Sequence, residues 1–209
     1  MKAFSAVTSK VTPLPLKDVD TDMIIPAQHL TSISREGFGD HLFSRLRASD
    51  PDFVLNDKRF KGSQILVGDS NFGCGSSREH AVWALTGAGF RVVVAKSFAD
   101  IFSSNSGKNG LLLISLPAAV VDSLLSTAAR EDLVLTVDLP NQTITMPDFE
   151  TIRFEYDPFL KYCLLNGLDD LEYLTSQLPK IRALKATQAK NFFFDARIAN
   201  NEQDRDHQT

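Results

Sequence analysis

The run Asn71-Phe72-Gly73-Cys74-Gly75-Ser76-Ser77-Arg78-Glu79-His80 concentrates residue types that do chemistry: a thiol, two hydroxyls, a guanidinium, a carboxylate and an imidazole among turn-forming glycines. Two nucleotide-binding readings fail on spacing. A dinucleotide fingerprint, G-x-G-x-x-G, needs a third glycine where this chain has Arg78. A P-loop, G-x-x-x-x-G-K, fits Gly68 and Gly73 but then needs lysine where Cys74 stands. Ser76-x-x-Glu79 ahead of an apolar stretch has the form of a capping box. The same arrangement suits a small acidic ligand. A helix start offers unpaired backbone N–H groups and a positive dipole end, and glycine lets backbone approach a ligand closely. Arg78 can grip a carboxylate with two parallel hydrogen bonds. A serine among such donors could serve as a proton acceptor. Cap and base are compatible roles for Ser76, and both stay open. Cys74 reads as a small residue in a tight turn, and His80 as a buried, hydrogen-bonded imidazole.

Something must hold that run in place. Ile65-Leu66-Val67 before it reads as a short buried strand, and Ser76 to Ala88 after it has helical periodicity. Arg91 to Ala95 and Leu111 to Ile114 are further strands. Ser97 to Ser104 and Pro117 to Ala129 are helices between and after them, the second opened by proline. Strand–helix alternation predicts an α/β core with a mostly parallel central sheet. Phe4 to Leu16 adds a strand at the front, followed by an acid-rich loop, Asp18 to Asp22. Leu133 to Val137 and Gln142 to Met146 alternate apolar and polar residues around Pro140-Asn141 and predict a β-hairpin, with a strand at Thr151 to Phe154. Helices are expected over Asp157 to Leu165, Asp169 to Leu178 and from Pro179 to about Lys190, with Asn166-Gly167 as a C-cap. Residues 1–195 are expected to form one domain and the polar stretch 196–209 a disordered tail. The turn-rich segment of about 28–62, holding Phe38, Leu42, Phe43 and Phe53, is expected to face a partner or substrate.

Composition narrows the class. The chain has 209 residues, 43% hydrophobic and 23% charged, with a formal net charge of −4. Those values fit a folded globular domain and argue against nucleic-acid binding through overall charge. No apolar run approaches the about 20 residues of a membrane helix, and none follows Lys2 as a signal peptide would require. Cys74 and Cys163 are the only cysteines. Free thiols in an intracellular protein are expected of them, and two cannot by themselves give an iron–sulfur cluster its four thiolates. The four histidines show no metal-ligand spacing.

Longer motifs carry a resemblance. Gly75 to Ala81, Lys96-Ser97-Phe98-Ala99-Asp100-Ile101-Phe102, Asn105, Gly110-Leu111-Leu112 and Asp20-Thr21-Asp22-Met23-Ile24-Ile25-Pro26 resemble the swivel domain of the aconitase superfamily. Gly37 to Phe43, Pro51 to Asn56 and Asn166-Gly167-Leu168-Asp169 are similar to the bacterial small-subunit family of 3-isopropylmalate dehydratases. The chain departs from that pattern after Asp169, where Asp170-Leu171-Glu172-Tyr173-Leu174 replaces the usual Ile-Gly-Leu-Thr. The resemblance implies a swivel-type β/β/α fold. It implies a cytoplasmic hydro-lyase of leucine biosynthesis, active only with a large subunit in a heterodimer or heterotetramer. That partner would hold a [4Fe–4S] cluster, with none bound by this chain. The implied reaction interconverts 2- and 3-isopropylmalate through 2-isopropylmaleate, or else acts on a related citramalate/citraconate or homocitrate. The resemblance assigns Ser76 as catalytic base and Ser77, Arg78 and Asp22 to the substrate. Arg35 is either a second carboxylate-binding arginine or a surface residue. His29, Leu30, Thr31 and Ser32 form the substrate-specificity loop. An interaction module without catalysis and a nucleotide-binding domain are the rival classes. The intact Ser-Ser-Arg triplet and the failed glycine fingerprints argue against them.

Overall fold

The computed structural model describes residues 1–30, 36–146 and 151–188. Their contacts separate into two compact units, Met1–Asp169 and Asp170–Thr209. The expected boundary at 195 and the tail from 196 lie outside the described residues.

The first unit is built on a seven-stranded sheet in the order β4-β3-β2-β1-β5-β6-β7. Its strands are β1 (Ala6–Leu14), β2 (Ile65–Gly68), β3 (Val92–Ala95), β4 (Leu112–Ser115), β5 (Val134–Asp138), β6 (Thr143–Thr145) and β7 (Ile152–Arg153). β1 to β4 run parallel to one another, whereas the pairings β1–β5, β5–β6 and β6–β7 are antiparallel. β1 changes partner along its length. Its first half, Ala6 to Lys10, pairs with β5, and its second half, Val11 to Leu14, pairs with β2. The changeover is pinned from the side. Ser63 Oγ donates to the Lys10 carbonyl, and Gln64 N–H donates to Ser9 Oγ.

Strands β2 to β4 are nearly all apolar because both of their faces are covered. Ile65, Val67, Val92, Val94, Leu112 and Ile114 point to one core, which includes Val121, Leu124 and Ala128 of α5 (Ala118–Arg130). Their alternates Leu66, Val93 and Leu113 point to the other, with α3 (Glu79–Gly87), the buried Phe102 of α4 (Asp100–Lys108) and the segment before β2. Each such side chain contributes about 1.5–3 kcal/mol on burial. The segment expected to face a partner holds 3₁₀ turns at Phe38–His41, Val54–Asn56 and Lys58–Phe60, and the short α2 (Ser44–Ser49). Phe38, Leu42, Phe43 and Phe53 are buried in the second core. Those four side chains are therefore core and are not available to a partner.

The acid-rich loop closes into a one-turn helix, α1 (Thr21–Ile24), because the Asp20 carboxylate accepts from the Met23 N–H at 2.6 Å. After β7 comes α6 (Pro158–Asn166), capped by Asp157 and ended by left-handed Gly167. In the second unit α7 spans Asp170–Ser176, and residues 178–188 are helical.

Candidate active site

The run 69–78 lies beyond the carboxyl ends of β1, β2 and β3, where open parallel sheets place their ligands. It is zipped to the loops on either side. Asp18 N–H donates to the Ser70 carbonyl, Gly73 N–H to Val19, and Thr21 N–H to Cys74, the last two at 2.7 and 2.9 Å. On the other flank Phe72 N–H donates to Ser97 and Ala99 N–H to Phe72. Gly73 sits at φ +80°, and a Cβ there would lie 2.2 Å from the Phe102 ring. Only glycine fits.

The helix after this loop begins later than the spacing predicts. Arg78, with extended φ −122° and ψ 102°, is the N-cap residue of α3, and no side chain caps it. The capping-box reading of Ser76 and Glu79 is therefore corrected. Glu79 accepts instead from Asn109 Nδ2 at 2.8 Å, while Trp83 Nε1 donates to Asn109 Oδ1. This tie fixes α3 from the end of α4. Ser76 is exposed, as is Ser77. Thr21 Oγ1 donates to the Ser76 carbonyl at 3.0 Å and lies 3.4 Å from Ser76 Oγ.

Arg78 is half-buried, and its Nη1 donates to Asp22 Oδ1 at 2.6 Å. That bond, chiefly, holds the Asp22 carboxyl below the usual carboxylate range, with the Ala27 N–H and the Arg45 charge adding to it. Among the described residues the Nε and Nη2 hydrogens of Arg78 have no acceptor, so one full edge of the guanidinium is available for a carboxylate. The second oxygen of Asp22 accepts from Arg45 Nη1 at 2.7 Å. Arg45 was not singled out by the sequence, since it stands 23 residues from its partner in a polar stretch with no motif around it.

His29 stacks on His41, ring centroids 3.9 Å apart and 9° from parallel, and its Nε2 is 3.4 Å from Ser44 Oγ. Burial, then the His41 and Arg45 charges, push the His29 pKa down. Leu30 packs against the second core. Thr31, Ser32 and Arg35 lie outside the described residues. His80 contacts the Phe38 and Trp83 rings edge-on instead of forming the expected hydrogen bond. Lys96 is held away from the loop chemistry by Asp69 at 3.1 Å and Asp122 at 2.6 Å. The Cys74 thiol is pushed up by burial and by the Asp20 and Asp18 charges, which leaves it a poor nucleophile. Neither Cys74 nor Cys163 is in a disulfide.

Among the described residues no three His, Cys, Asp or Glu side chains stand together as a metal-ligand group, and no helix is long and apolar enough to cross a membrane. A cavity of about 490 Å³ opens elsewhere, between the 39–42 turn, residues 55–63 and the end of α3. It includes neither Ser76 nor Arg78. Among the described residues the site brings together an open guanidinium edge, two exposed hydroxyls and the start of α3.

Residues 1–119 match the aconitase C-terminal domain. The chain is 49% identical over 188 residues to the 3-isopropylmalate dehydratase small subunit of Francisella philomiragia, covering 90% of this chain and 99% of that one. It is 51% identical over 192 residues to the protein of the same name from Dinoroseobacter shibae, covering 89% and 96%. The crystal structure of a 3-isopropylmalate dehydratase (leuD) from Methanocaldococcus jannaschii superposes with a TM-score of 0.65 at 28% identity, over 86% of this chain and 99% of that one.

Proposed function

The chain belongs to the aconitase C-terminal-domain family, among the small subunits of 3-isopropylmalate dehydratase, and from that premise we propose how its residues serve a hydro-lyase. The substrate is 2-isopropylmalate, interconverted with 3-isopropylmalate through the unsaturated 2-isopropylmaleate. The names of the relatives favour this substrate over citramalate or homocitrate. The observation that carries the proposal is the free edge of Arg78, held by Asp22 beside Ser76 and Ser77.

In this reading the Nε and Nη2 hydrogens of Arg78 grip one substrate carboxylate, and Ser77 donates to the same group. Asp22, at the edge of the substrate site, keeps the guanidinium in register. Ser76 Oγ takes the proton from carbon and returns it on rehydration, its charge eased by the positive N-terminal end of α3. A [4Fe–4S] cluster on a large subunit would supply the Lewis acid that helps the hydroxyl leave. This chain does not fit the cluster, since Cys163 is buried in α6 and Cys74 has no second thiolate beside it. The His29–Leu30 turn and the residues after it would line the substrate's alkyl group. The same reading places the protein in the cytoplasm, where thiols stay reduced.

The test is a pair of variants assayed with the large subunit. Ser76 is exposed and caps nothing, so Ser76→Ala is expected to keep stability within about 0.5 kcal/mol while turnover falls about 10²–10⁴-fold. Arg78→Lys keeps the charge but loses the two-pronged grip, and should cost about one to two decades of kcat/KM. Turnover within twofold of wild type in either variant rejects that residue's role.

A further inference from the structure

Three consecutive residues at the start of α2 each hold a different point of the 22–29 segment. Phe43 N–H donates to the Ile24 carbonyl at 2.9 Å. Ser44 Oγ lies 3.4 Å from His29 Nε2. Arg45 Nη1 donates to Asp22 Oδ2 at 2.7 Å. The Arg45–Asp22 pair is exposed, but the backbone that carries Arg45 is fixed from within. Phe43 is fully buried and adopts φ +50°, a left-handed backbone that a bulky residue takes only when its surroundings impose it. Its ring packs against Phe53 with centroids 5.9 Å apart. The buried ring and the forced backbone fix the direction in which α2 leaves, and so the place where the Arg45 side chain reaches Asp22.

Asp22 is thereby shared by two guanidiniums, one per oxygen. A carboxylate held by a single arginine can rotate about its χ angles and carry that arginine with it. Here it is held from both sides and by the Ala27 N–H at 3.1 Å, three restraints where one arginine would give a single one. We propose that Arg45 is a positioning residue for the site: through Asp22 it fixes the orientation of Arg78 and presents the free edge of that guanidinium to the substrate carboxylate. The inference rests on the function proposed above in taking that edge as the substrate grip. It adds that the grip is set by a residue which itself makes no substrate contact.

The experiment is a double-mutant cycle on the enzyme reconstituted with its large subunit, with a second readout on the full-length chain alone. Arg45→Gln is expected to raise KM about two- to fivefold, the range for losing one exposed ion pair, with kcat within twofold. Arg45→Lys, which can still pair with Asp22, should recover most of the loss. In an Asp22→Asn background Arg45→Gln should add nothing. Additive effects in the double variant, or no change in KM for Arg45→Gln, overturn the proposal; additivity would mean that Arg45 meets the substrate directly. In the chain alone, hydrogen exchange at Arg78 Nη1, the atom that bonds Asp22, followed by nitrogen-15 NMR, should quicken at least threefold in Arg45→Gln. An unchanged rate overturns the coupling even if turnover is altered. If Arg78→Lys proves fully active, the assigned grip fails, whereas the exchange measurement still decides whether Arg45 orders Arg78.

Discussion

At the scale of single residues, the site depends on how charges are shared. Asp18, Asp20 and Asp22 would make this edge of the sheet repel an anionic substrate if all three faced it. Asp20 is spent on the Met23 N–H, Asp18 accepts from Asn71 Nδ2, and Asp22 is covered by two arginines. Ser76 and Arg78 stand out in the sequence as a hydroxyl and a guanidinium beside a glycine turn, whereas Ser77 and Asp22 are reached only through the family resemblance of their motifs. Arg45 is marked by neither, because only the fold brings it to Asp22. His29 gives a direct check on this crowding. Its neutral form is favoured by burial and by the His41 and Arg45 charges. A folded pKa below the ordinary value of about 6.5 means that its contribution to stability is present above that pH and is lost as pH falls through the folded value. We expect the His29 ring protons to titrate with a midpoint below 6.5, and His41→Ala to move that midpoint upward. A midpoint at or above 6.5 in the native chain contradicts the stacked, half-buried placement.

At the scale of elements, the glycine turn is set by backbone conformation and by space, and the two can be separated. Gly73→Ala meets both a left-handed backbone, costing about 1–2 kcal/mol, and collision with Phe102, costing about 1–3 kcal/mol more. Gly89, at φ +101°, has open space where a Cβ would go, so Gly89→Ala should show the backbone cost alone. Urea midpoints of the two variants should differ accordingly, and equal shifts would show that Phe102 yields. The strands were legible because β2, β3 and β4 are short β-branched or leucine-rich runs bounded by turns. The start of α3 was not. Ser76 and Glu79 have capping spacing, but Gly75 at φ +90° and the extended Arg78 carry the chain past them, and Glu79 is claimed by Asn109, 30 residues on. Similarly, the aromatic residues of the 36–62 segment signalled a partner surface only because nothing local shows that the second core needs them.

At the scale of the whole molecule, the proposed function asks the chain for an anion grip and a proton acceptor, and among its described residues no group of side chains is suited to hold a metal. We expect the purified chain to be colourless and iron-free, with no turnover of 2-isopropylmalate. Anaerobic addition of the cluster-loaded large subunit should restore activity, and a chelator of the labile iron should remove it. Steady turnover by the isolated, metal-free chain would refute the two-subunit reading. The partner change along β1 bears on how this molecule assembles. β1 is made early, yet its second half waits for residues 65–68 and its first half for residues 134–138. Closing such distant pairs is slow because the intervening chain must be ordered before the contacts can form. Until then β1 offers unpaired N–H and C=O groups along both edges. A nascent chain or a fragment ending before β5 therefore carries a strand half-templated and half-adhesive. Association of such exposed edges is expected to compete with completion of the sheet.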